Sequence, residues 1–292
     1  MHTCELFRRK TVFSFEVFPP KKDAAVETVY DTLEELKYLS PDFISVTYGA
    51  GGSAANRLTV QIASDIRHRY GVESVAHLPC INFTKEEVLA VLREFEQNGI
   101  ENILALRGDF IPGVPPKTDF RHASDLVSFL RENSACNIIG ACYPEGHPES
   151  ASVVDDIRNL KCKVDAGVSQ LISQLFFDNG YFYTFLERAR IAGINVPVEA
   201  GIMPVTNKKQ IERMVSLCGA TLPKKFTTMM EKYENNSIAM RDAGIAYAID
   251  QIVDLAAHGV DGIHLYTMNN SYVAKKISEA VASLICSGRV SA

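Results

Sequence analysis

At 292 residues, 47% hydrophobic and 22% charged, the chain has enough apolar material for a sizeable core, a composition that excludes a disordered, collagenous or membrane-spanning protein. A formal charge of -5, with no basic run longer than Arg8-Arg9-Lys10, argues against a nucleic-acid partner. The seven cysteines are scattered singly with no CxxC pair, so neither a disulfide framework nor a zinc site is expected; MHTCELFRRK lacks the apolar stretch of a secretory signal, and the cytoplasm is the expected compartment.

In chain order, short β-like runs alternate with longer helix-like segments. The strand candidates are TVFSFEVF (11–18), DFISVTYG (42–49), SVAHLPCI (74–81), NILALRGD (102–109), NIIGACYP (137–144), QLISQLFF (170–177), PVEAGIMP (197–204) and GIHLYTMN (262–269). Most follow one another at about 30 residues, the length of a βα unit.

The segments between carry helix signals. Asp23 is placed to cap a segment whose Val26, Val29, Tyr30, Leu33 and Leu36 share one face, and Thr84 to Glu87 forms a capping box. Gly99, Gly167, Gly193 and Gly259 each end a helical pattern. The long interval from 205 to 260 reads as a helix, a short extra helix near 223–230 and a long helix near 238–258.

Eight such units without a Pro/Ser-rich linker predict an α/β fold with one domain over residues 1–292, a single (β/α)8 TIM-type barrel. An open doubly wound sheet is the alternative, but no strand is followed by GxGxxG, and GAGGS (49–53) has neither that spacing nor a following Lys-Ser/Thr.

In such a barrel chemistry belongs at the C-terminal ends of the strands. Glu16, Thr47 with Tyr48, His77, Arg107 with Asp109, Tyr143, Gln174 and Tyr266 fall at or near those ends, and the opposite ends are expected to lack such groups. The two-residue period puts Ser14 and Glu16 on one face, so Glu16 is predicted to point into the barrel mouth, with Phe13, Phe15 and Phe18 as apolar neighbours that help it keep a proton. Arg107-Gly108-Asp109 spells an adhesion tripeptide, but without a secretory signal an internal ion pair is the stronger reading. Tyr143, Glu145 and His147 have no second cluster of matching spacing, so no metal site is expected.

Taken in order, SFEVFPPK, FISVTYGAGG, AHLPC, ALRGD, YPEGHPE, LKCKVDAG, ISQLFFD, GIMPVTN and LYTMN resemble the methylenetetrahydrofolate reductases of the short bacterial type, from Phe13 to about Asn269. The resemblance implies FAD across the C-terminal mouth of the barrel. There NADH or NADPH reduces the flavin, leaves, and is replaced by 5,10-methylenetetrahydrofolate, which receives hydride and becomes 5-methyltetrahydrofolate. It further implies Glu16 as the proton donor and Asp109 as a carboxylate between flavin and pterin. Tyr48, Ala50, His77, Arg107, Gly108, Asp109, Ala123, Tyr143, His147, Asp156, Asn159 and Lys163 match cofactor positions. Thr47, Gln174, Gln210 and Tyr266 match substrate or nicotinamide positions.

A homo-oligomer is implied as well. The chain ends after the eighth helix, so the S-adenosylmethionine-binding regulatory domain of eukaryotic members is not expected. Three positions depart from the pattern: Asn270 where many relatives have an arginine that anchors the folate tail, Cys162 where some have a base, and Val168 where Ala is common and a larger side chain is expected to loosen the packing. The competing readings are a flavin-bearing subunit reduced by a partner protein, and a non-flavin barrel such as an aldolase, against which this chain offers no strand-end Lys for a Schiff base, a metal-dependent version staying open.

Overall fold

The computed structural model describes residues 1–20, 26–48, 53–110, 113 and 115–286. Asp23, Ala50 and most of the GAGGS turn lie outside them. Eight parallel strands close in sequence order into a barrel: β1 (Val12–Val17), β2 (Phe43–Val46), β3 (Glu73–Pro79), β4 (Asn102–Leu106), β5 (Asn137–Cys142), β6 (Gln170–Ser173), β7 (Val198–Ile202) and β8 (Gly262–Tyr266). Each is shorter than its sequence run mostly because the chain leaves the ladder early at the C-terminal end. Thr47, Tyr48, Arg107, Asp109, Tyr143 and Gln174 therefore stand in the loops just past the strands rather than within them.

The helices are α1 (Glu27–Leu36), α2 (Ser53–His68), α3 (Lys85–Gln97), α4 (Ala123–Asn133), α5 (Val153–Asp165), α6 (Asn179–Ile191), α7 (Lys208–Cys218), α8 (Lys224–Tyr233), α9 (Ser237–Ala257) and α10 (Ser271–Cys286). Among the described residues, no helix is long and apolar enough to cross a membrane. The capping box forms as read, with Glu87 N donating to Thr84 Oγ1 at 3.2 Å and Thr84 N to Glu87 Oε2 at 2.7 Å. The long interval before β8 holds α7, α8 and α9, which bury Met203, Val205, Ile211, Phe226, Met230 and Met240 in a core of their own.

Alternation sorts each strand. Phe13, Phe15 and Val17 pack outward in the core shared with Val29, Leu33 and Leu36 of α1, while Val12, Phe43, Val75, Leu104, Ile139 and Ile172 fill the interior. Above that apolar layer lies a buried polar one of Ser14, Ser45, His77, Glu199 and His264.

Below it the structure corrects the expectation that the N-terminal ends lack polar groups. Asn102, Asn137 and Gln170 are buried there, beneath a 3₁₀ turn, Thr3–Arg8. Thr3 N donates to Asn102 Oδ1 at 2.9 Å, Thr3 Oγ1 to Gln170 Oε1 at 2.8 Å, and Asn137 Nδ2 to Thr3 Oγ1 at 3.0 Å. A turn laid across a barrel floor brings its own polar groups out of water, and the floor must supply partners for them.

Small residues set the closest approaches at the active end. A Cβ on Gly201 would lie 2.2 Å from the Ser173 carbonyl and 2.9 Å from the Tyr266 ring. Gly201→Ala is therefore expected to destabilise the protein by about 1–3 kcal/mol through overpacking, and Thr84→Ala by about 1 kcal/mol through loss of the cap. Equilibrium urea unfolding measures both; a Gly201→Ala midpoint equal to that of the parent would contradict the packing account.

Candidate functional site

Glu16 points inward, as its parity requires. Its Oε2 lies 3.5 Å from His77 Nε2 and 3.7 Å from His264 Nε2, and its side chain is 19% exposed, open to the mouth yet flanked by buried groups. The neighbours differ from the expected ones: Phe13 and Phe15 face the helices, as alternation with Glu16 demands, and the carboxyl meets two imidazoles instead. Burial pushes His77 down to about 4, so it is neutral near pH 7 and places no cation beside the acid. Among the described residues its buried Nε2 has no hydrogen-bond partner, a polar atom left for a ligand to meet.

The backbone under Glu16 is pinned to the end of β8. Thr267 Oγ1 donates to the Glu16 carbonyl at 2.6 Å, and Asn269 clamps Phe18 by accepting from its N–H at 3.1 Å and donating to its carbonyl at 2.8 Å. Tyr266, paired in register with Glu16, donates its hydroxyl to the Ser173 carbonyl at 2.7 Å, and burial raises its pKa well above the ordinary phenol value.

At the same end of the barrel, past the ends of β4 and β5 and against α4 and α5, lies a cavity of about 680 Å³. Arg107, Ala123, Tyr143, His147, Asp156, Asn159 and Lys163, all expected as cofactor positions, line it together. Arg107 is held by both oxygens of Glu149 at 2.5 and 2.7 Å. The ion pair foreseen within Arg107-Gly108-Asp109 is thus made with Glu149; Asp109 is exposed just beyond β4. Lys163 donates to the Ala141 carbonyl, and burial lowers its pKa. Asp156 is buried and accepts from Ser150 Oγ at 2.8 Å. Tyr143 sits edge-on to His147 with ring centroids 4.6 Å apart, and burial pushes it up to about 12. Arg107, Lys163 and the first turns of α4 and α5 thus border one volume, together with the carboxyl groups of Glu149, Asp155 and Asp156.

The remaining expected residues are more dispersed. Gly108 takes φ +86° and lies so close to Pro79 that a Cβ would approach its Cβ to 2.7 Å, so this turn admits only glycine without strain. Tyr48 packs edge-on against Phe83 at 5.7 Å. Thr47 N donates to the Val17 carbonyl at 3.0 Å, and Gln174 N to the Cys142 carbonyl at 2.7 Å. Gln210 is exposed in the first turn of α7.

Of the three departures, Asn270 acts as a helix cap, its Oδ1 accepting from Val273 N at 3.1 Å. Cys162 is exposed and lines the cavity. Val168 is buried, its γ-methyls 3.2 Å from where a Cβ on Gly140 would stand, so the side chain is closely packed rather than loosening its surroundings.

Sequence reasoning passed over Glu149, Glu199 and His264. His264 shares its face with Tyr266 two residues on, and Glu199 interrupts the apolar run of β7, so parity was the available signal for both.

The methylenetetrahydrofolate reductase family profile matches residues 3–282. A Salmonella typhimurium protein named 5,10-methylenetetrahydrofolate reductase is 38% identical over 264 residues, covering 90% of this chain and 88% of its own. An Arabidopsis thaliana protein named methylenetetrahydrofolate reductase (NADH) 1 is 38% identical over 275 residues, 89% of this chain but 46% of the longer plant protein. Among solved structures, a Clostridium thermocellum protein described as binding two copies of 5-methyl-5,6,7,8-tetrahydrofolic acid superposes with a TM-score of 0.65 at 15% identity, covering 96% of this chain and 97% of its own, a likeness of fold. With its motifs on the loops of a closed barrel and this match over nearly its whole length, the chain belongs to the methylenetetrahydrofolate reductase family.

Proposed function

We propose that the protein reduces 5,10-methylenetetrahydrofolate to 5-methyltetrahydrofolate as an FAD-dependent, ping-pong enzyme with NADH or NADPH as electron donor. The observation that carries the reading is the convergence of seven expected cofactor positions, from Arg107 to Lys163, on one cavity beside Glu16's end of the barrel. Bound there, FAD would supply a two-electron carrier between nicotinamide and folate. That a Clostridium thermocellum barrel of this fold binds a reduced folate supports the substrate class.

The residues present fit that cofactor. Arg107 and Lys163 would meet its diphosphate with the first turns of α4 and α5 behind them, and the unpartnered Nε2 of His77 would meet its ring. Arg107 must first exchange Glu149 for the ligand. Glu149 is 56% exposed on its side chain, and so open an ion pair is held weakly enough to be displaced.

Glu16 carries the proton chemistry. The methylene bridge of the substrate is an aminal and a poor hydride acceptor until one C–N bond opens to an iminium, and protonation of the departing nitrogen eases that opening. Asp109, exposed past β4, places a negative charge at the mouth that favours the iminium cation. Gln174 and Tyr266 would border the place where the pterin and the nicotinamide alternate, with Thr47 meeting the nicotinamide and Gln210, exposed in the first turn of α7, meeting the substrate.

Glu16→Gln is expected to leave anaerobic bleaching of the flavin by NADH or NADPH within a few-fold of the parent, and to slow reoxidation by methylenetetrahydrofolate about 10²- to 10⁴-fold. Stopped-flow absorbance separates the two steps. A protein that takes up no FAD overturns the reading, and a flavin that folate reoxidises but neither nicotinamide reduces would assign electron delivery to a partner protein.

Arg107→Ala should weaken FAD binding by about 10- to 100-fold, the loss of about 1.5–3 kcal/mol from a charge-assisted contact. Glu149→Gln, which frees Arg107, should tighten binding. Flavin fluorescence titration reads both, and looser binding in Glu149→Gln would refute the exchange.

A further inference from the structure

Inside the barrel, below Glu16, lies a second carboxyl for which the reaction described above has no use. Glu199 of β7 is fully buried. Gly262, beside it in register, has no side chain to compete for the space, since a Cβ there would stand 2.8 Å from Glu199 Cγ. Glu199 Oε1 and Ser14 Oγ lie 2.6 Å apart, Ser14 Oγ lies 2.7 Å from His264 Nδ1, and His264 Nε2 lies 3.7 Å from Glu16 Oε2 and 3.5 Å from Ser45 Oγ. With Glu199 protonated on Oε1 its carboxyl donates to Ser14, whose own hydroxyl then donates to His264 Nδ1. The carboxylate of Glu16 makes no hydrogen bond among the described residues. Its backbone is held by Thr267, and a rotation of its side chain would be needed to close the 3.7 Å gap.

We propose that Glu199 is a proton reservoir for Glu16, exchanging one proton with it through Ser14 and His264. The proposal rests on Glu16 being the general acid. In this role Glu199 is a positioning residue, acting on the substrate only through Glu16.

The transfer balances at every atom. After Glu16 has given its proton to the departing nitrogen of the folate, it takes the proton on His264 Nε2. His264 takes the Ser14 hydroxyl proton on Nδ1, and Ser14 takes the carboxyl proton of Glu199. Glu199 ends ionised, Glu16 ends neutral, and Ser14 and His264 keep their charges while the imidazole changes tautomer. Solvent protons entering at Glu16 when the mouth is open run the chain backwards and reload Glu199.

The surroundings favour a loaded reservoir. Among the described residues the buried Glu199 Oε2 has no hydrogen-bond partner, a costly place for ionised oxygen. Burial, and next to it the charges of Asp42 and Asp261, outweigh the hydrogen bond with Ser14 and push Glu199 up to about 8. Asp42 and Asp261 are themselves paired with Lys10 and Arg190. Around the other end of the chain, Glu16 faces His77 of β3, Ser45 of β2 and Tyr266 of β8.

Two measurements test this. In the FAD-loaded protein, reoxidation by methylenetetrahydrofolate should match the parent near about pH 6 in Glu199→Gln and fall about tenfold behind it near about pH 8, with reduction by nicotinamide unchanged. Ser14→Ala, which cuts the chain and leaves Glu199 in place, should do the same. In the flavin-free protein, the infrared C=O band of protonated carboxyls at neutral pH should lose one component in Glu199→Gln that persists in Glu16→Gln. Superimposable pH profiles, or no neutral carboxyl at position 199, overturn the proposal. The control is Glu16→Gln: if it reoxidises normally the general-acid reading fails, whereas if it is blocked while Glu199→Gln behaves as the parent, only the reservoir fails.

Discussion

In a closed parallel barrel an inward side chain between floor and mouth meets chiefly those of other strands, and that constraint orders much else in this molecule. Register then decides who meets whom. Ser14 stands level with His264 and Glu16 with both Ser45 and Tyr266, so a polar layer one residue deep assembles from β1, β2, β3, β7 and β8. Since the layer is sealed below by Phe43, Leu104, Ile139 and Ile172, its polar groups can be satisfied only by one another or from the mouth. The hydrogen bonds from Glu199 to His264 follow from that enclosure, as does the unpartnered Nε2 of His77.

The sequence was most legible where a rule is local and periodic. Strand number, the alternation that turns Glu16 inward, the Thr84 capping box and the extra helix before α9 all depend on neighbours within a few residues. It was least legible where partners are far apart. The polar floor needs Thr3 beside Gln170, and nothing near either residue announces the other. Placing Phe13 and Phe15 around Glu16 used sequence adjacency where the strand period puts them on the far face. Arg107 was matched with the acid two residues away, whereas the chain brings back Glu149 from the next βα loop. The expected cofactor positions between Arg107 and Lys163 converge because they belong to two consecutive βα units, whose loops a barrel must place side by side.

Two adjacent asparagines close the account of the acid. Asn269, in the left-handed conformation with φ 52°, spends both ends of its amide on the backbone of Phe18, and Asn270 caps α10. Together with Thr267, Asn269 ties the end of β1 to the β8 loop, so Glu16 is fixed at its backbone while its carboxyl makes no hydrogen bond among the described residues. Pro19 and Pro20 follow at once and cannot extend the ladder. As the donor proposed above, Glu16 would have to reach a substrate nitrogen on one side and an imidazole on the other, and that role needs both properties, because a loose backbone would blur the first contact and a clamped carboxyl would forbid the second.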